Sequence, residues 1–141
     1  MIVYFDTSAF VPLLVIEPGT SLARELWDSA DEVVTTRLLY VEAAAALARA
    51  RRMRRITGGD HRTAVDSLDD LWRDFRVIEI DEVVIRRAAE LTDRYALRGY
   101  DAVQCASAER VDAPDLVVAS SDKDVLTACS ELGLSTALTG Q

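Results

Sequence analysis

The sequence predicts an α/β fold in which a mostly parallel sheet is covered by helices on both faces. Two observations carry the prediction. Short apolar, β-rich segments recur along the 141 residues, and each is separated from the next by stretches of helical periodicity, an alternation that places strands side by side beneath crossover helices. Half of the residues are hydrophobic, so a chain of this length can bury a sizeable core as one compact domain spanning residues 1–141.

The elements follow in order. Ile2 to Phe5 is a strand that runs directly into Asp6. Ser8 is positioned to cap a short helix reaching about Leu14, with Pro12 restricting the turn and Pro18-Gly19 ending it. A helix from Ser21 to Ser29 precedes a strand from Glu32 to Thr35. The alanine-rich stretch from about Leu38 to Arg54 is helical by propensity, and Gly58-Gly59 breaks it. Val65, Leu68, Leu71 and Trp72 give His61 to Asp74 one apolar helical face. Phe75 to Ile80 is the third strand and Val83 to Tyr95 the next helix. Gly99 separates that helix from another over Asp101 to Arg110. Leu116 to Ala119, Lys123 to Leu132 and Ser135 to Leu138 complete the chain as strand, helix and strand. There are no internal repeats and no low-complexity segments.

Composition excludes several classes. No apolar run reaches the roughly 20 residues of a membrane span, and MIVYFD lacks a basic secretion signal, so a cytoplasmic location and no membrane association are expected. Cys105 and Cys129 carry no pairing signature and read as small core hydrophobes. The net charge of −8 argues against nonspecific nucleic-acid binding over the whole surface. Its distribution is uneven, however, because Ala43 to Gly59 holds Arg49, Arg51, Arg52, Arg54 and Arg55 with no acid. That stretch either receives an anionic partner or completes a helix C-terminus, where cations complement the dipole.

Acids collect where an open parallel sheet binds ligands, beyond the carboxyl ends of its strands. Asp6 follows the first strand, Asp122 and then Asp124 follow the strand LVVAS, Asp101 stands at a helix start, and Glu42 lies early in the alanine-rich helix. Each also has a purely structural use: Asp6, Asp101 and Asp122 as helix caps, Glu42 in a surface ion pair. If the carboxylates meet, their repulsion calls for a cation, and an all-oxygen set without a thiolate cluster favours Mg2+ or Mn2+ over zinc. Such a site suits hydrolysis of a phosphate ester by activated water. Thr7, Ser8, Ser120 and Ser121 offer hydroxyls to hold the carboxylates. The single histidine, His61, is remote from any nucleophile motif, and neither a Walker loop nor a dinucleotide fingerprint occurs.

With these residues in place the chain resembles the PIN domain family, and within it the VapC-type toxins of toxin–antitoxin pairs. The anchors are VYFDTSAFV with Asp6, LLYVEAAAAL with Glu42, LRGYDAVQCASA with Asp101 and LVVASSDKDVL with Asp122. The resemblance implies a three-layer α/β/α sandwich and a magnesium- or manganese-dependent endoribonuclease. Asp6 and Asp101 would then be direct metal ligands, Glu42 would hold metal or activate water, and Asp122 would complete the acidic pocket, with Asp124 a weaker candidate. Thr7 or Ser8 matches the hydroxyl that orders the first acid. The resemblance further implies a homodimer, a VapB-like antitoxin, and DNA contact only through that antitoxin. Two rivals stand beside it: a phosphatase or phosphotransferase forming an aspartyl-phosphate at Asp6, which would want a second acid where Ser8 stands, and a catalytically silent interaction module.

Overall fold

The computed structural model describes residues 1–140. Its centre is a five-stranded sheet in the order β3-β2-β1-β4-β5, with every neighbouring pair parallel. The strands are β1 (Ile2–Phe5), β2 (Glu32–Thr36), β3 (Phe75–Ile78), β4 (Leu116–Ser120) and β5 (Ser135–Leu138). The helices are α1 (Thr7–Phe10), α2 (Thr20–Ser29), α3 (Leu39–Arg52), α4 (Gly58–Trp72), α5 (Glu82–Tyr95), α6 (Gly99–Glu109) and α7 (Lys123–Glu131), with a 3-10 turn over Val11–Leu13.

Alternation along the strands divides the core into two layers. Val3, Phe5, Val33, Phe75 and Ala119 point to one face, where they pack with Phe10 of α1, Leu39 and Leu47 of α3 and Leu68 of α4. Tyr4, Val34, Ile78 and Val118 point to the other, against Val84 and Leu91 of α5, Val103 and Ala106 of α6, and Val125 of α7. This is the expected α/β/α sandwich, and burial of both sheet faces is why the central strands β1 and β4 read as near-continuous apolar runs. Trp27 and Trp72 join Phe5, Phe10 and Phe75 in a cluster of tilted and edge-on rings, where both indoles serve packing.

Several local expectations are corrected. Pro12 splits the first helix: α1 stops at Phe10 and the chain tightens into the 3-10 turn around the proline. The cap of α1 is Asp6, whose side chain accepts the Thr7 N–H, and Ser8 lies inside the helix. Gly58-Gly59 ends nothing by itself but opens α4, behind a capping box in which Thr57 and Asp60 exchange backbone and side-chain bonds. Asp101 caps nothing; α6 begins two residues earlier at Gly99, placing Asp101 in its first turn. Cys105 and Cys129 are buried free thiols, as small core residues should be, yet their sulfurs lie 3.0 Å apart, a proximity that no spacing in the chain announces.

The chain runs outward from β1 to β2 and β3, then returns to β1's other side for β4 and β5. The direction therefore reverses at the carboxyl ends of β1 and β4, the position where open α/β sheets leave a crevice.

Candidate active site

A depression of about 340 Å³ opens at that crevice, and Asp6, Glu42, Asp101 and Asp122 all line it. Four segments distant in sequence thus meet at one rim. β1 delivers Asp6, the first turn of α3 delivers Glu42, the first turn of α6 delivers Asp101, and the junction of β4 with α7 delivers Asp122. Thr7, Ser8, Ser121, Tyr100, Glu17 and Arg98 complete most of the wall.

Asp6 is buried and held from both loops. Its Oδ1 accepts the Thr7 N–H at 2.9 Å, and its Oδ2 accepts the hydroxyls of Ser8 at 2.8 Å and Ser120 at 2.6 Å. The serine oxygens in turn accept backbone N–H groups, Ser8 that of Ser121 at 2.9 Å and Ser120 that of Asp122 at 3.0 Å. The loop after β1 is thereby pinned to the loop after β4. Burial raises the Asp6 pKa, the Ser120 and Ser8 donors pull it back, and the nearby charge of Asp101 raises it further.

Glu42 is fixed by a second network. Thr7 donates its hydroxyl to Glu42 Oε1 at 3.0 Å, and Gln104 Nε2 donates to the same oxygen at 3.0 Å. Gln104 is itself clamped, its Oε1 accepting the hydroxyl of fully buried Tyr4 at 2.7 Å. Desolvation raises the pKa of Glu42; the Thr7 and Gln104 bonds oppose this, and the charges of Asp6 and Asp101 add to it. Asp101 is buried and accepts from Arg98 Nε at 3.0 Å. Asp122 caps α7, its Oδ1 accepting the N–H groups of Asp124 and Val125, so its structural use and its place on the rim coexist.

Not every sequence candidate arrives here. Asp124 is exposed and lines a separate hollow with Arg94, Tyr95 and Ala96, away from the acidic depression. Ser121 contributes its backbone N–H to the serine bridge. Arg49, Arg51, Arg52, Arg54 and Arg55 are all exposed at the far end of α3, outside the depression, and none forms an ion pair among the described residues. Three residues of the site were not among the sequence candidates: Glu17 and Arg98 on the wall, and buried Gln104 behind Glu42. A glutamine inside DAVQCASA breaks the apolar run just where α6 faces Glu42, and that was the available signal.

The donor set suits a hard cation. Among the described residues, Glu42 Oε2, Asp101 Oδ1 and Asp122 Oδ2 accept no hydrogen bond, and Asp6 Oδ1 accepts a single one, which leaves carboxylate oxygens open on all four acids. As the side chains stand, no three or more His, Cys, Asp or Glu among the described residues are gathered closely enough to hold a metal ion. Mutual repulsion of uncompensated carboxylates acts in that direction.

The family model for the PIN domain matches residues 3–130. The chain belongs to the PIN domain family. Its curated relatives include the ribonucleases VapC45 and VapC49 from two strains of Mycobacterium tuberculosis, each 43% identical over 132 residues that cover 94% of this chain and 92% of the relative. The PIN fold is shared with M. tuberculosis VapC20, described as a sarcin–ricin loop cleaving toxin, at a TM-score of 0.69 and 23% identity over 89% of this chain and 94% of that one. It is shared also with VapBC2 from Rickettsia felis, bound to a DNA fragment from its promoter, at a TM-score of 0.65 and 11% identity over 98% of both chains. At such identities the two structures speak for the PIN fold alone.

Proposed function

We propose that this PIN protein is the toxin of a type II toxin–antitoxin pair and that it works as an endoribonuclease dependent on Mg2+ or Mn2+. The observation that carries the reading is the meeting of Asp6, Glu42, Asp101 and Asp122 in one depression, supported by extended similarity to two proteins named ribonucleases. Asp6 and Asp101 are the residues to hold the cation, with Glu42 and Asp122 beside them. A divalent cation supplies Lewis acidity and charge neutralisation toward a phosphodiester.

The chain's own residues do the rest. The serine bridge and the Thr7 N–H fix the Asp6 carboxylate before any substrate arrives, so no reorganisation is needed at that moment. Thr7 and Gln104 occupy one oxygen of Glu42 and leave the other to receive a proton from the attacking water. Asp122 anchors the start of α7 and keeps the rim acidic. The rival aspartyl-phosphate chemistry fits less well: Asp6 already accepts three hydrogen bonds, and position 8 is a serine that donates to it where a general acid would be wanted.

In this reading residues 1–141 form one PIN-like domain. Its partners are RNA, a VapB-like antitoxin and a second copy of itself, with DNA reached only through the antitoxin, and its location is cytoplasmic. Among the described residues no helix is long and apolar enough to cross a membrane. The five arginines at the end of α3 are the surface offered to RNA or antitoxin. The test is cleavage of total cellular RNA by purified protein in Mg2+ and in EDTA. The parent cleaves only in Mg2+, and Asp6→Asn and Asp101→Asn each lose at least about 100-fold in rate while keeping the parent's circular dichroism. Parent-like cleavage by either variant would reject the site.

A further inference from the structure

The acidic depression contains a cation of its own. Its wall carries five carboxylates, those of Asp6, Glu17, Glu42, Asp101 and Asp122, against one basic side chain, Arg98. Arg98 donates from Nε to Asp101 Oδ2 at 3.0 Å, and its guanidinium carbon lies 5.2 Å from the ring centre of Tyr100. The two partners differ sharply in setting: the Asp101 side chain is 11% exposed, whereas that of Arg98 is 70% exposed.

We infer that Arg98 is an internal counter-cation that competes with a divalent ion for Asp101 and so sets the metal affinity of the depression. The inference rests on the reading of this depression as a cation site. Asp101 is buried on the floor of an acidic wall, and Arg98 places a positive charge against it from the solvent side. Its arm is held at only two points, the carboxylate and the tyrosine ring, so only these two contacts oppose its leaving. Arg98 precedes the helix in extended conformation with most of its side chain in solvent, so the arm has room to swing outward. A divalent ion arriving at Asp101 must displace this guanidinium, which reduces apparent affinity to the fraction of Asp101 left free, or bind against its charge, which weakens binding by repulsion.

Isothermal titration of metal-free protein with Mn2+ alone separates this inference from the reading beneath it. Four forms are needed: the parent, Arg98→Gln, Arg98→Lys and Asp101→Asn, each checked for folding by circular dichroism. Arg98→Gln binds Mn2+ about threefold to fivefold more tightly than the parent, the scale of a lost exposed ion pair. Arg98→Lys keeps the positive charge and stays within about twofold of the parent. Asp101→Asn binds at least about tenfold more weakly. Parent-like Mn2+ binding by Asp101→Asn would overturn the cation site itself. Weakened binding by Asp101→Asn, together with Arg98→Gln binding no more tightly than the parent, would overturn the role of Arg98 alone. So would an Arg98→Lys variant as tight as Arg98→Gln, because charge would then not be what competes.

Discussion

At the scale of single residues, the rim acids differ in what holds them. Asp6 is caught between burial, which favours its neutral form, and three donors, which favour its charge; burial and the charge of Asp101 win, so its folded pKa lies above the ordinary carboxylate value. Between the unfolded and folded pKa values the native state holds the extra proton, so this group's contribution to stability falls as pH rises through the folded pKa. Asp6→Asn, which mimics the protonated form, therefore raises the melting temperature of EDTA-treated protein at pH 7, and the gain shrinks as pH is lowered through the folded pKa of Asp6. A gain that stays constant or grows toward acid pH in thermal melts would contradict the burial argument. The acids that follow strands were legible in the sequence because an aspartate after an apolar run is conspicuous. Gln104 offered only the faint signal of one amide inside an apolar run, and Arg98, an arginine beside a glycine, offered none until the start of α6 is laid against the other acids.

At the scale of elements, the caps explain both what was read correctly and what was displaced. The central strands followed directly from apolar runs, since β1, β2 and β4 are covered on both faces, whereas edge strand β5 keeps Ser135 and Thr136 exposed. Helix starts moved by up to three residues where capping chemistry overrode periodicity, as when Thr57 and Asp60 drew the start of α4 back to Gly58. Helix α5 ends at Ala96 in the left-handed region, at φ 53° and ψ 38°, a position that favours glycine. Ala96 is exposed, so little packing is at stake. Ala96→Gly is expected to stabilise the protein by about 1 kcal/mol through relief of that backbone strain, measured by urea denaturation. A loss of stability would show that α5 ends by another rule. By contrast Gly133, at φ 87° just after α7, already supplies the glycine that such a turn requires.

At the scale of the whole molecule, strand order is what the sequence could not show. Alternation of strands and helices predicts a parallel sheet, but the lateral order β3-β2-β1-β4-β5 depends on which way the chain turns after β3. That reversal places the ends of β1 and β4 side by side and converts four scattered acids into one rim. The same architecture separates charge: the acidic depression lies at the start of α3, and the arginines lie about 15 Å away at its end, given 1.5 Å of rise per residue from Glu42 to Arg52. An anionic chain can thus be held at a distance from the carboxylates that act on it. Replacing Arg51, Arg52, Arg54 and Arg55 together with Gln is expected to weaken association with RNA or antitoxin and flatten its dependence on salt, as filter binding over a salt series would record. Unchanged binding of both partners would remove the patch from the mechanism.

The measurement that bears most directly on the central claim is a crystal structure of the protein soaked in Mn2+, with the ion located by its anomalous scattering. The account predicts a Mn2+ peak in the depression, with oxygens of both Asp6 and Asp101 at about 2.1 Å from it. Fully soaked crystals with no ion at these two carboxylates, or with Mn2+ bound only elsewhere, would contradict it.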